Sequence, residues 1–393
     1  MLRRYVMSRM LAGIFGLMAF LTATFFMAKL LIPGDVTSNF AIGFGGNLNN
    51  VRETLGLNEP LWKQYLIWLG GILSFNLGRL PGRPSVMSQV VDALPWTLAM
   101  FGIGLGAAFV VGTRVGRWAG WRKSTTTPTT LGAATLTSIF PPWLVFLAFY
   151  TTLSLFGFRF FNMMTALDFE LWRDGRDQGA TLWVMIGIVV GVLAVGQLVG
   201  RTISDRRSRT TWTVASRLAV PVVVFWILGA MGIREHAFDL LGFLVLPVLV
   251  LFLLAVGDII LVVAASMDGL STSDFAVAAR AKGLTDRQVR ERHAGRVAML
   301  PALSRLTANL PFALGGLVII EASFGRLGGY RIDIPGVASI LFGSLRQRNL
   351  LLTLGGLVIV GLITLVLRIG LDLAVATIDP RVQLEKTRVT HVQ

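Results

Sequence analysis

The sequence predicts an all-α polytopic membrane protein with about eight transmembrane helices and both termini on the inner side. Three observations predict it. Hydrophobic residues make up 54% of the 393-residue chain and charged residues only 15%, where soluble domains carry about 25% charged residues. The apolar residues collect into runs matching the roughly 20 residues that a helix needs to cross a bilayer core. The basic excess, a net charge of +15, lies in the segments between those runs, where it sets topology.

Eight runs qualify in chain order: 10–32, 94–113, 131–155, 181–200, 218–233, 240–264, 306–324 and 351–373. Backbone polar groups in lipid must be satisfied within the segment, so each run is predicted to be helical. The first run has an Arg-rich start like a signal peptide. It is long enough to span and has no clear small-x-small cleavage site, so it reads as a retained span. The 218–233 run is the shortest. With the N-terminus inside, the inner segments (1–9, 114–130, 201–217, 265–305 and 368–393) hold 23 Lys and Arg. The outer segments (33–93, 156–180, 234–239 and 325–350) hold 12. That split favours N-in and C-in. Losing one span would invert everything after it, so the balance also bears on the count.

Composition narrows the function classes. There is no cysteine, which excludes disulfides and thiolate metal sites. His236, His293 and His391 are far apart and have no ligand spacing, so no metal site is expected. No phosphate-loop, zinc-protease or nucleophile-elbow motif occurs, and no catalytic residues are assigned. Gly102, Gly104 and Gly106 form a GxGxG inside an apolar run, which reads as close helix packing rather than a phosphate cradle. A nucleic-acid binder would gather its basic residues on one face of a soluble domain; here they are spread over loops.

Between the first two runs, "LGLNEPLWKQYLIWLGGILSFNLG" covers 55–78. Trp62, Tyr65 and Trp68 share one helix face, and Pro60 stands near the start. A helix lying at the membrane interface is expected, serving either as an aromatic belt or as a docking surface.

The inner segment 265–305 carries the most information. Its centre is "AARAKGLTDRQVRERHAGRVAMLP" over 278–301. Ser273 precedes an alanine-rich helix that Asp274 opens and Lys282 closes, in keeping with the helix dipole. Gly283 can take the left-handed conformation that stops a helix. Thr285 and Gln288 have capping-box spacing, so a second helix is predicted from there. Val289, His293, Val297 and Leu300 are predicted to share its apolar face, with Arg287, Arg290 and Arg292 turned away. Pro301 marks the approach to the next span. A loop needing only positive charge would not need a helix, a glycine stop and a second cap, so a protruding docking element is the functional reading.

The run Ala278-Ala279, Gly283 and Leu300-Pro301 resembles the EAA loop of ABC-importer permeases. "ARAKGL…RHA…LP", with eighteen residues from Gly283 to Pro301, is similar to the dipeptide/oligopeptide permease family. Weaker matches flank it in the right order: Pro33-Gly34-Asp35, the 55–78 segment, Leu94-Pro95-x-Thr97-Leu98, "SIFPPWL" at 138–144, Glu321-x-x-Phe324, Asp372 and Asp379-Pro380-Arg381. About 1–155 and 240–381 are covered. The resemblance implies a type I-like ABC-importer permease bundle in a prokaryotic inner membrane, importing peptides or similar small solutes. It implies coupling to a cytoplasmic ATPase through Ala278, Ala279, Arg280, Gly283, Leu284, Thr285, Asp286, Arg287, Arg290 and His293. The implied partners are a second homologous permease subunit, ATPase subunits that bind ATP and Mg, and an extracytoplasmic substrate-binding protein. No cofactor is implied in this chain.

The domain reading follows. Residues 1–93 hold the first span and an outer segment, and 94–155 hold spans two and three. Residues 156–239 form an inserted region with two extra spans. The core, 240–381, contains the 265–305 coupling loop, and 382–393 form an inner tail. Departures from the family pattern are Val277 at the EAA glutamate position, "GRLGGY" where the family has a proline, and Leu261 and Ala264 in place of basic residues. Carboxylates in apolar spans usually face a cavity or a partner. Asp258 and Glu321 are therefore candidates either for the translocation path, with Phe324, or for polar contacts between helices. Arg368 and Asp372 are expected to pair at i, i+4. The competing function is a stand-alone ion-coupled secondary transporter, which would show inverted repeats and midplane carboxylates. No repeat is visible.

Overall fold

A computed structural model describes residues 2–31, 57–79, 84–155, 178–203, 205–324 and 336–378. Among these the secondary structure is helical, apart from one isolated bridge between Arg79 and Ser85. The helices are α1 (Leu2–Leu31), α2 (Leu61–Leu73), α3 (Val86–Trp121), α4 (Lys123–Ser138), α5 (Pro141–Leu155), α6 (Gln178–Thr202), α7 (Arg206–Ala230), α8 (Arg234–Ser271), α9 (Asp274–Ala281), α10 (Gly295–Phe324), α11 (Val337–Arg346) and α12 (Leu350–Ile378). Pro33-Gly34-Asp35, "GRLGGY", Asp379-Pro380-Arg381 and the 382–393 tail lie outside the described residues, as do 156–177 of the inserted region.

Six helices are long and apolar enough to cross a membrane: α1, α3, α6, α8, α10 with the turns before it, and α12. The other two expected spans differ in form. The 131–155 run is not one helix; α4 and α5 meet at a 103° bend. Pro141 and Pro142 explain the break. Proline disfavours helix at the residue before it and fits a helix's first turn. The 218–233 run is the apolar half, Ala215–Ala230, of a helix whose first turns are basic.

The principal packing is α3 against α8. Gly104, Ala108, Gly112, Gly116 and Gly120 recur every four residues on α3, which forms one smooth stripe. A Cβ at Gly112 would stand 2.8 Å from Cγ2 of Ile259, and one at Gly116 would stand 2.7 Å from Cβ of Val263. The backbones therefore approach closely without a side chain between them, as in small-residue membrane interfaces. Of the predicted GxGxG, only Gly104 serves this contact, against Leu251; Gly102 and Gly106 meet nothing within 4 Å.

The predicted interfacial helix is α2, which begins after Pro60. Its aromatic face divides. Tyr65 and Trp68 pack on Phe25 of α1, and the Tyr65 hydroxyl lies 2.8 Å from Thr22 Oγ1. Trp62 stays exposed. Helices α6 and α7 lie side by side: Trp212 Nε1 donates to the Gly196 carbonyl at 3.1 Å. Leu182 and Met185 of α6 join the main core with Val90 and Trp96 of α3. Near the C-terminus, Asp372 takes Arg9 of α1 at 3.7 Å rather than the expected Arg368. A second, smaller core gathers Trp121, Val263, Met267, Ala276, Ala279, Val289 and Ala294 beneath the 265–305 loop.

Candidate coupling surface and polar groups within the spans

Local chemistry shapes the loop as the sequence predicts up to residue 288. α9 buries Ala276 and Ala279 and exposes Ala278. Gly283 has φ +81°, and the Leu284 amide donates to the Ala279 carbonyl at 3.3 Å, a left-handed glycine stop. Thr285 and Gln288 form the reciprocal capping box, with Thr285 N to Gln288 Oε1 at 2.9 Å and Gln288 N to Thr285 Oγ1 at 3.3 Å.

Beyond Gln288 the structure departs from the predicted helix. Val289–Ala294 is a π-helix, and it runs without interruption into α10 through Pro301. A π-turn holds one more residue than an α-turn, so the buried face slips. The buried positions from there to Ala302 are Val289, Ala294, Gly295, Ala298 and Ala302. His293 and Val297, predicted on that face, are exposed. The predicted approach at Pro301 is already inside the spanning helix.

The loop is fastened to the end of α3. Trp121 Nε1 donates to Asp286 Oδ2 at 2.6 Å, and Arg280 pairs with Asp286 Oδ1 at 3.1 Å. The Arg280 guanidinium lies 5.5 Å from the centre of the Trp121 ring. Glu291 receives Arg290 at 3.0 Å and Arg117 of α3 at 3.5 Å. These contacts divide the predicted coupling residues. Arg280, Asp286 and Arg290 are engaged within the chain, and Ala279 is buried. Ala278, Gly283, Thr285, Arg287 and His293 face outward, and Leu284 is half-buried. Two outward residues were not among the predicted coupling residues: Phe275 and Val277, which are 45% and 59% exposed. The signal was available, because both stand off the Ala276–Ala279 face of an amphipathic α9.

Glu321 and Phe324, candidates for the translocation path, are 1% exposed and belong to the chain's interior. Glu321 reaches from α10 to the start of α11. Its Oε2 accepts from the Ser339 amide at 2.7 Å, and its Oε1 accepts from the Thr97 hydroxyl at 3.4 Å. The same Thr97 oxygen accepts from the Val337 amide at 2.9 Å. Residues of α10 and α3 thus supply the acceptors that the first amides of α11 need. Gly336 abuts the Glu321 carboxylate, leaving no room for a side chain there. Glu321 thus forms a buried polar contact from α10 to α3 and α11, one of the two roles expected of it, and Phe324 packs in the main core. Asp258 is different. It accepts from Arg305 at 3.0 Å and from Asn309, both on α10, and it lines a cavity.

The family described as binding-protein-dependent transport system inner membrane component matches residues 184–384. The chain belongs to this family. The match takes in most of α6 and all of α7 to α12, including the loop and the Asp258 and Glu321 contacts. Among relatives, a provisionally named peptide permease protein of Brucella ovis is 26% identical over 97% of this chain and 99% of its own. The dipeptide transport system permease protein DppB of Lactococcus lactis is 22% identical over 97% of this chain and 99% of its own. DppB of Escherichia coli K12 is 25% identical over 91% and 92%. This chain is a multi-pass inner-membrane permease component of a transport system, and the family is one of membrane components.

Proposed function

We propose that this chain is one permease subunit of an ATP-driven, binding-protein-dependent importer for peptides. It forms half of the translocation path and takes its drive from cytoplasmic ATPase subunits that bind ATP and Mg. A homologous second permease and an extracytoplasmic binding protein complete the assembly. The N-in, C-in orientation places the 265–305 loop in the cytoplasm. One observation carries the coupling role: the loop presents outward Phe275, Val277, Ala278, Gly283 and Arg287 while Trp121–Asp286 and Arg117–Glu291 fasten it to α3. An apolar knob with a basic rim suits docking into a partner's groove. The clamps let a push on the loop reach α3, and the small-residue stripe passes it to α8. Such rigid-body motion can interconvert inward- and outward-open states.

The substrate class follows from the names of the relatives, which are peptide and dipeptide permeases. In the domain reading, α6 and α7 support the bundle at its periphery. Uptake of a labelled peptide mixture into proteoliposomes, with and without ATPase subunits, tests the proposal. Uptake is expected only with ATPase and ATP. Arg287→Glu should lower uptake per ATP hydrolysed by about tenfold, the scale for reversing a docking charge, with insertion unchanged. Uptake by this chain alone, driven by an ion gradient, would establish the secondary-transporter reading instead.

A further inference from the structure

From Leu240 to Ala265 the helix α8 contains a single charged residue, Asp258. It stands six residues before Ala264, where the apolar run ends, about 9 Å along the helix from the inner end of the run. Its partner Arg305 is 51% exposed and Asp258 itself 22%. Arg305 belongs to the inner segment, so the pair marks the inner end of the two spans, where a carboxylate inside an apolar run usually faces a cavity or a partner. A cavity is present. Asp258 and Asn309 line a cavity of about 580 Å³, with Thr137 and Ile139 of the α4–α5 bend and Phe312 of α10. Its size suits a small solute, since ligand pockets run from about 300 to 1,000 Å³. Its wall is mostly apolar with a few convergent polar groups, which also fits.

An ion pair needed only to join α8 to α10 would gain nothing from being open. The helices are already joined by buried Ala302 and Leu310 of α10 and Val256 and Leu251 of α8. The open pair has another property. It is neutral as a whole, so a ligand that is also neutral as a whole but carries one charge of each sign can exchange with it. At no stage is a lone charge left in the membrane. A peptide with free ends is such a ligand.

Resting on the peptide-importer reading above, we propose that Asp258 and Arg305 form a station on the solute path for zwitterionic peptides. The peptide's ammonium group takes Asp258 and its carboxylate takes Arg305, and the pair closes again when the peptide leaves. Asn309 holds the Asp258 carboxylate in place while the longer Arg305 side chain swings aside. No bond is made or broken.

The test uses the complete reconstituted complex and one dipeptide in free, N-acetylated and C-amidated forms, chosen so that the wild type takes up all three. Asp258→Asn should lower uptake of the free and C-amidated forms by about tenfold and of the N-acetylated form by less than about twofold. Arg305→Gln should do the reverse, sparing only the C-amidated form. The binding protein is the same throughout, so its own preference cancels in these ratios. An equal loss for all three forms would overturn the station. So would recovery of wild-type ratios by the swapped pair Asp258→Arg/Arg305→Asp, the behaviour of a strut between helices. If a single variant does not assemble, Asp258→Asn/Arg305→Gln leaves no lone charge and is read the same way. Loss of discrimination among the forms supports the station, and wild-type discrimination overturns it. Absence of ATP-dependent uptake by the wild type sinks the importer reading itself.

Discussion

Glu321 shows what a single residue can and cannot disclose when read alone. In sequence it is an acid in an apolar run, and path lining or a polar contact between helices is expected of it. In the structure it acts as a distant cap, accepting from Ser339 while Thr97 accepts from Val337. No local pattern could reveal this, because the amides it serves follow in the next helix and the supporting hydroxyl is 224 positions away. Glu321→Ala would strand a buried amide and should cost about 1–3 kcal/mol, read as a lower melting temperature in lipid nanodiscs. Glu321→Gln keeps one carbonyl acceptor and should cost less. An unchanged melting temperature for the alanine variant would refute the capping role. The same two expectations stood for Asp258, which has an interhelical contact and also lines a cavity.

At the level of elements, the sequence is most informative where the cause is local. The glycine stop at 283 and the Thr285–Gln288 cap follow from rules acting within a few residues, and so would the break before Pro141, which the apolar run over 131–155 masked. The small-residue stripe of α3 was only partly read, because a GxGxG draws the eye to alternate glycines while a helix face repeats every four. The stripe predicts a contrast. Gly116→Leu would drive a side chain into Val263 and the Ile260 carbonyl and should destabilise by about 1–3 kcal/mol, as overpacking does. Gly102→Leu, facing open space, should be near neutral. Equal melting temperatures for the two variants would show that α3 and α8 do not approach this closely.

For the whole molecule, apolar runs predicted every long helix, yet they could not tell a straight span from the bent α4–α5 pair. Run length measures hydrophobicity and is blind to direction. Orientation rests on the basic residues, and the chain offers a clean way to measure it because it lacks cysteine. Single cysteines at Thr272 and Met231 lie at opposite ends of α8. A membrane-impermeant maleimide applied to spheroplasts should label Met231→Cys and spare Thr272→Cys; the opposite pattern would invert the topology. The π-turn at 289–294 has a further consequence at this scale. It works like a vernier between two dials. The α10 span must present a fixed stripe to α3 and α8, while the loop must present another to whatever grips it. One surplus residue between them lets each stripe be set without turning the other. A helical wheel drawn through the spanning part of this helix therefore misplaces every residue of the loop, and deleting His293 would bring the two back into phase.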